Sequence, residues 1–89
     1  LKTNIKTIDN ALDKILHLRG AEYDRIDKDN QHEIGVIAQE VEKVIPELVH
    51  GDETKTVSYG NMTAVLIEAI KEQNDVINKM KKEIEDLKG

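Results

Sequence analysis

One stripe of apolar residues near the C-terminus constrains this chain more than any other feature. Leu66, Ile70, Gln73, Ile77, Met80, Ile84 and Leu87 follow one another at alternating spacings of four and three. On an α-helix such a series lines up along one side, and a repeat of about 3.5 residues is buried best when helices wind around each other. With Ile70, Ile77 and Ile84 at heptad position a, residues Leu66, Gln73, Met80 and Leu87 fall at d, leaving one polar layer at Gln73. Glu83 then stands at g and Lys88 at the next e, the spacing that pairs neighbouring helices of a parallel bundle. Isoleucine at a does not choose between two strands and three. Met and Gln at d are not the leucine-rich layers of a strong dimer, so a trimer is favoured. Residues 66–89 are therefore expected to form a parallel coiled-coil stem.

Association also answers a shortage elsewhere in the chain. With 89 residues there is room for one domain, and a chain of this size buries only about 60–65% of its unfolded surface. Two tyrosines are the only aromatic residues, and Cys, Phe and Trp are absent. Large burial units, disulfides and thiolate metal sites are thus all missing. Small scaffolds so placed tend to associate, and a homo-oligomer is expected. A net charge of −5 argues against nucleic acid or an anionic membrane as partner. No apolar run approaches the roughly 20 residues that span a bilayer. The chain begins at Leu1 without Met or a signal-peptide pattern, and is expected to be a piece of a longer protein.

The remaining elements read as follows. Ile5, Ile8, Leu12, Ile15 and Leu16 suggest an amphipathic helix over residues 1–20, with Asn4 as N-cap and Gly20 as stop. Residues 23–26 and 33–37 flank a turn of composition DKDNQ and suggest a hairpin. Val41, Val44 and Ile45 fit one face of a short helix that Pro46 ends. Residues 49–57 suggest a second hairpin, and Ser58 is a good N-cap for the long helix that follows. Met62, Val65, Ile67 and Ala69 widen the apolar face of that helix, so its first half should lie buried. The expected fold is α+β and mainly helical. It is a single domain over residues 1–89, globular through residue 65.

Few residues suggest chemistry. His17, His32 and His50 have no ligand-like spacing, so neither a metal nor another cofactor is expected. Gly35 is isolated, which excludes a glycine-rich phosphate loop. Glu40 and Glu42 point to different sides of a helix, and Glu40 is placed to pair with Lys43. Ser58 is the only serine, and its position fits a cap better than a nucleophile.

Four stretches occur in a telling order: IGVIAQEV (residues 34–41), Pro46-Glu47, Val57-Ser58-Tyr59, and LIEAIKE (residues 66–72). Together they resemble the intramolecular chaperone domain of endosialidase-type phage tailspikes, tail fibres and neck-appendage proteins. On this resemblance Gly35, Gln39, Glu40, Pro46, Tyr59 and Glu68 are structural signature positions. The resemblance implies a homotrimeric C-terminal folding module. Such a module assists the upstream stalk of its own parent chain in the host cytoplasm, then cuts itself off and is lost from the mature virion. The cut uses a Ser-Lys dyad in a Ser-Asp-x-Arg-x-Lys pattern. Lys2 matches the lysine, while the serine would precede Leu1 by four residues, so the sequence as given would be inactive. A different reading is a non-catalytic trimerisation or adaptor domain that stays attached to its parent. A third is a partner-helix regulator, which would form heteromers. The stem reading requires sedimentation equilibrium to give a trimer at roughly tens of micromolar; a monomer there would refute it.

Overall fold

The longest element forms because nothing in its sequence interrupts it. The computed structural model describes residues 1–89, and its final helix, α3 (Tyr59–Lys88), runs for 30 residues without a proline. At about 1.5 Å per residue it is some 45 Å long, most of the molecule's 61 Å extent. Before it, in chain order, come α1 (Ala11–Leu16), β1 (Ala21–Arg25), β2 (Gln31–Gly35), α2 (Ala38–Val44), β3 (Val49–His50) and β4 (Thr56–Val57). The fold is thus mixed α+β and mostly helical, with two small antiparallel hairpins.

Only one side of α3 meets the rest of the chain. Met62, Val65 and Ala69, at spacings of three and four, are buried there. They join Ala11, Val41, Ile45 and Leu48 in a core of seven residues without an aromatic ring. Ile67 was expected inside and is 52% exposed. The reason is rotation: at about 100° per residue it stands on the opposite side of the helix from Val65 and Ala69.

The N-terminal helix is much shorter than its periodicity suggests. Residues 1–10 hold neither helix nor strand, and α1 has six residues. Asn4 and Asn10 both adopt left-handed backbone, with φ of 54° and 55°. Asparagine tolerates that region better than most residues, but it breaks a right-handed helix. Asn4 therefore caps nothing, and Gly20 is not the stop, because the helix ends at Leu16 with His17 as C-cap. Ile8, Leu12 and Ile15 still pack on the core, whereas Ile5 and Leu16 are exposed. The first turn of α1 has no local side-chain cap. Instead the Glu72 carboxylate of α3 accepts from the Ala11 N–H at 2.8 Å and the Leu12 N–H at 3.5 Å. Two otherwise orphaned donors are thus satisfied across 60 residues of sequence.

The first hairpin pairs β1 with β2 in the register Ala21↔Gly35 through Arg25↔Gln31. Its turn needs left-handed backbone at Asp29 and Asn30, which those residue types supply. The second strand stops at Gly35, two residues short of the expected end. Val36 and Ile37 leave the sheet, and the Ile37 carbonyl receives the first amides of α2. Val41 and Ile45 carry the buried face, and Pro46 opens a single 3-10 turn that places Leu48 in the core. In the second hairpin Gly51 has φ +95°, and a Cβ there would lie 2.2 Å from the Thr54 carbonyl oxygen. Ser58 holds the N-cap position of α3 without a side-chain cap bond. Its N–H donates to the Leu48 carbonyl instead, at 2.8 Å.

Glu72→Ala should lower stability by about 1–2 kcal/mol, and Glu72→Gln by less, because the amide oxygen still accepts. Val41→Ala should cost about 2 kcal/mol through two lost methyl groups. Urea unfolding at a fixed protein concentration measures all three, and a Glu72→Ala midpoint equal to that of the parent would refute the cap.

Candidate functional site

Three of the signature residues, Gly35, Glu40 and Tyr59, act where β2 hands over to α2. Gly35 is there because two tyrosines need its space. A Cβ on Gly35 would lie 2.6 Å from the Tyr59 hydroxyl oxygen and 3.0 Å from that of Tyr23. The next residue, Val36, donates its N–H to the Tyr59 hydroxyl at 3.3 Å. Partial burial raises the pKa of the Tyr23 hydroxyl, and neighbouring Tyr59 and Glu33 add to the effect. Both aromatic residues of the chain thus meet at one glycine, joining β1, β2 and the start of α3. Beside them lies a cleft of about 410 Å³, lined by Gln39, Arg25, Lys55 and Val57 among others.

Glu40 is held by a partner absent from its sequence neighbourhood. Arg19 Nε donates to Oε1 at 2.9 Å and Nη2 to Oε2 at 2.8 Å, a two-pronged pair. That geometry is the favoured one between guanidinium and carboxylate. The expected pairing of Glu40 with Lys43 gives way to it. Hydrogen bonding to Arg19 lowers the Glu40 pKa and raises that of Arg19. The pair fastens the segment after α1 to the first turn of α2. Lys55 Nζ donates to Glu42 at 2.8 Å and ties α2 to the loop before β4. Arg25 clasps Asp27 at 2.7 Å and Glu33 at 3.4 Å, bracing the first hairpin.

Other sequence-selected positions do not join this junction. Gln39 is exposed, and Pro46 opens the 3-10 turn beyond α2. Glu68 is half-buried and accepts from Lys71 at 3.4 Å. Lys2 lies exposed in the irregular segment before α1. Along the far side of α3 the a and d residues face outward: Leu66, Ile70, Ile77, Met80, Ile84 and Leu87 are all at least 41% exposed, and Gln73 is exposed with them. No group of three or more His, Cys, Asp or Glu side chains is placed to hold a metal ion. No helix is long and apolar enough to cross a membrane.

Sequence reasoning missed the roles of Arg19 and Glu72. Neither leaves a local signal, because each acts on a residue far away in sequence. His32 was also more engaged than its spacing suggested. Its Nδ1 lies 2.9 Å from Asp24 and its Nε2 3.1 Å from Glu22, across the first hairpin.

Gly35, Tyr59 and Glu40 thus brace the strand, the short helix and the long helix against their neighbours. Residues 1–50 match the family described as "Chaperone of endosialidase". This is more than half of the chain, and the chain belongs to that family. It is similar to the long tail fiber protein Gp37 of Enterobacteria phage M1, 37% identical over 92 residues that cover 91% of this chain and 37% of that protein. Gp37 of Enterobacteria phage K3 is 38% identical over 81 residues, covering 80% of this chain and 6% of the relative. Gp37 of phage T2 gives the same figures. The chain therefore spans only a minor part of the length of these relatives.

His32 offers a direct check on the hairpin geometry. Hydrogen bonds to Asp24, then to Glu22, raise its pKa from 6.5. A raised value means that its contribution to stability is complete below the unfolded value and fades as pH climbs through the folded one. NMR titration of the His32 ring should give a midpoint above 6.5, moving back toward that value in Asp24→Asn. A midpoint unaltered by the substitution would refute the contact.

Proposed function

We propose that this chain is the C-terminal intramolecular chaperone of a phage tail fibre, tailspike or appendage. Three copies associate through α3 and assist the parent stalk to fold in register. Autoproteolysis then releases them at their N-terminal edge. The observation that carries this reading is the uncovered stripe on α3, in a chain of the endosialidase chaperone family. Six large apolar residues stand in solvent along a helix whose other side holds the core at Met62, Val65 and Ala69. An apolar stripe of that length calls for a partner, and its heptad spacing suits identical parallel helices.

Threading several chains into a β-rich stalk is slow, since its contacts are between chains or distant in sequence. A stem that gathers three C-termini raises their effective concentration and sets their register. Once the stalk is built, the stem has no further task. Its loss then leaves the stalk protected by a kinetic barrier, because separated chains would lack the means to realign. In this reading the module acts in the host cytoplasm during assembly and is absent from the finished virion.

Lys2 is the proposed general base, with a serine four residues before Leu1 as nucleophile. A lysine accepts a proton only in its neutral form, which desolvation or nearby positive charge favours. Lys2 is exposed in the single chain. Packing of three copies around it would supply that environment and make cleavage conditional on assembly.

The test is expression of a parent chain carrying its last few hundred residues. A fragment near 10.1 kDa should be released. Lys2→Ala should abolish release while trimers persist. Undiminished release from Lys2→Ala would eliminate the dyad. An intact parent in which the unaltered sequence never releases the fragment would favour a trimerisation domain that stays attached.

A further inference from the structure

The heptad positions flanking the α3 seam change character along the helix. At position e the residues are Ile67, Asn74, Lys81 and Lys88. In the distal half, cationic Lys88 at e faces anionic Glu83 at g of a parallel neighbour. An antiparallel neighbour overlapping along the whole seam would set Lys88 against Ile67 and Lys81 against Asn74, forming no ion pair. The charges therefore select parallel copies, whose folded modules must all lie at the same end.

At that end the g positions are not free. Met62 and Ala69 occupy them, and both are buried under their own module, at 7% and 4% exposure. In a parallel bundle, e of one helix meets g five residues earlier on the next. Ile67 corresponds in this way to Met62. What it meets, however, is the module that already covers Met62, not an open side chain. This is the one level of α3 at which position e is apolar, and there Ile67 is 52% exposed in the single chain. The seam itself continues to this level. Thr63 falls at a and is exposed, and its hydroxyl donates to the Tyr59 carbonyl at 3.3 Å.

We infer that the contact between copies extends from the seam onto the folded modules, with Ile67 of each copy seated on the module of the next. This rests on the proposed parallel association. The occupant of the apolar surface around Ile67 is a second copy of this chain. The modules then form a collar at the top of the stem.

Two measurements test the collar separately from the stem. The chain has no native cysteine, so Ile67→Cys can carry a benzophenone label. Mixed with an isotopically heavy copy, it should cross-link on illumination to residues 11–57 of the other copy. Cross-links confined to residues 70–89, or to its own chain, would overturn the inference. Ile67→Lys should raise the concentration at half-assembly about tenfold or more in sedimentation equilibrium, while Ile67→Leu stays near the parent. In an Ile77→Asp background that no longer assembles, Ile67→Lys should leave the thermal midpoint unchanged. A half-assembly concentration within about twofold of the parent would overturn the collar while leaving the stem standing. A parent chain that remains monomeric would refute the stem, and the collar with it.

Discussion

The docking of α1 against α3 is the constraint on which the rest of this small molecule depends. Ala11 has no solvent exposure and joins Met62, Val65 and Ala69 of α3 in the core. The same docking brings the Glu72 carboxylate onto the first amides of α1. A six-residue helix has too few internal hydrogen bonds to persist alone. It exists here because α3 supplies both the apolar surface and the missing acceptor. Val41, Ile45 and Leu48 then complete the core, with Val49 and Val57 of the second hairpin packed against it, and the Tyr59 hydroxyl accepts from the Val36 N–H just after the first hairpin.

How far the sequence disclosed this arrangement depended on whether the governing interaction was local. The long helix was legible because its apolar spacing persists from Leu66 to Leu87 without a break. The hairpin turn was legible because Asp29 and Asn30 are residue types that accept left-handed backbone. Pro46 announced the end of α2. The first twenty residues misled because Ile5, Ile8, Leu12, Ile15 and Leu16 have helical spacing, yet Asn4 and Asn10 each turn the backbone out of the right-handed region. Periodicity reports which faces are apolar, not whether the chain between them stays helical. Arg19 and Glu72 were illegible for a different reason: their partners are 21 and 60 or more residues away.

The candidate site shows the same division. Lys2 and the signature positions were selected through resemblance to a family, and the chain belongs to that family. What the resemblance could not convey is why those positions matter physically. Gly35 yields its volume to two hydroxyl groups, and Glu40 anchors the chain after α1 through a guanidinium. Both act at the junction through packing and pairing. They hold the strand, the short helix and the long helix in fixed relation.

The meeting of Tyr23 and Tyr59 over Gly35 has an optical consequence. No tryptophan is present, so the near-ultraviolet absorption and intrinsic emission of the whole chain originate from this one joint. The stem contributes nothing to either signal. Tyrosine spectra therefore follow the hairpin seating on α3, whereas far-ultraviolet circular dichroism is dominated by the long helix. The two signals separate the seating of the hairpin from the folding of the long helix, without any label being attached.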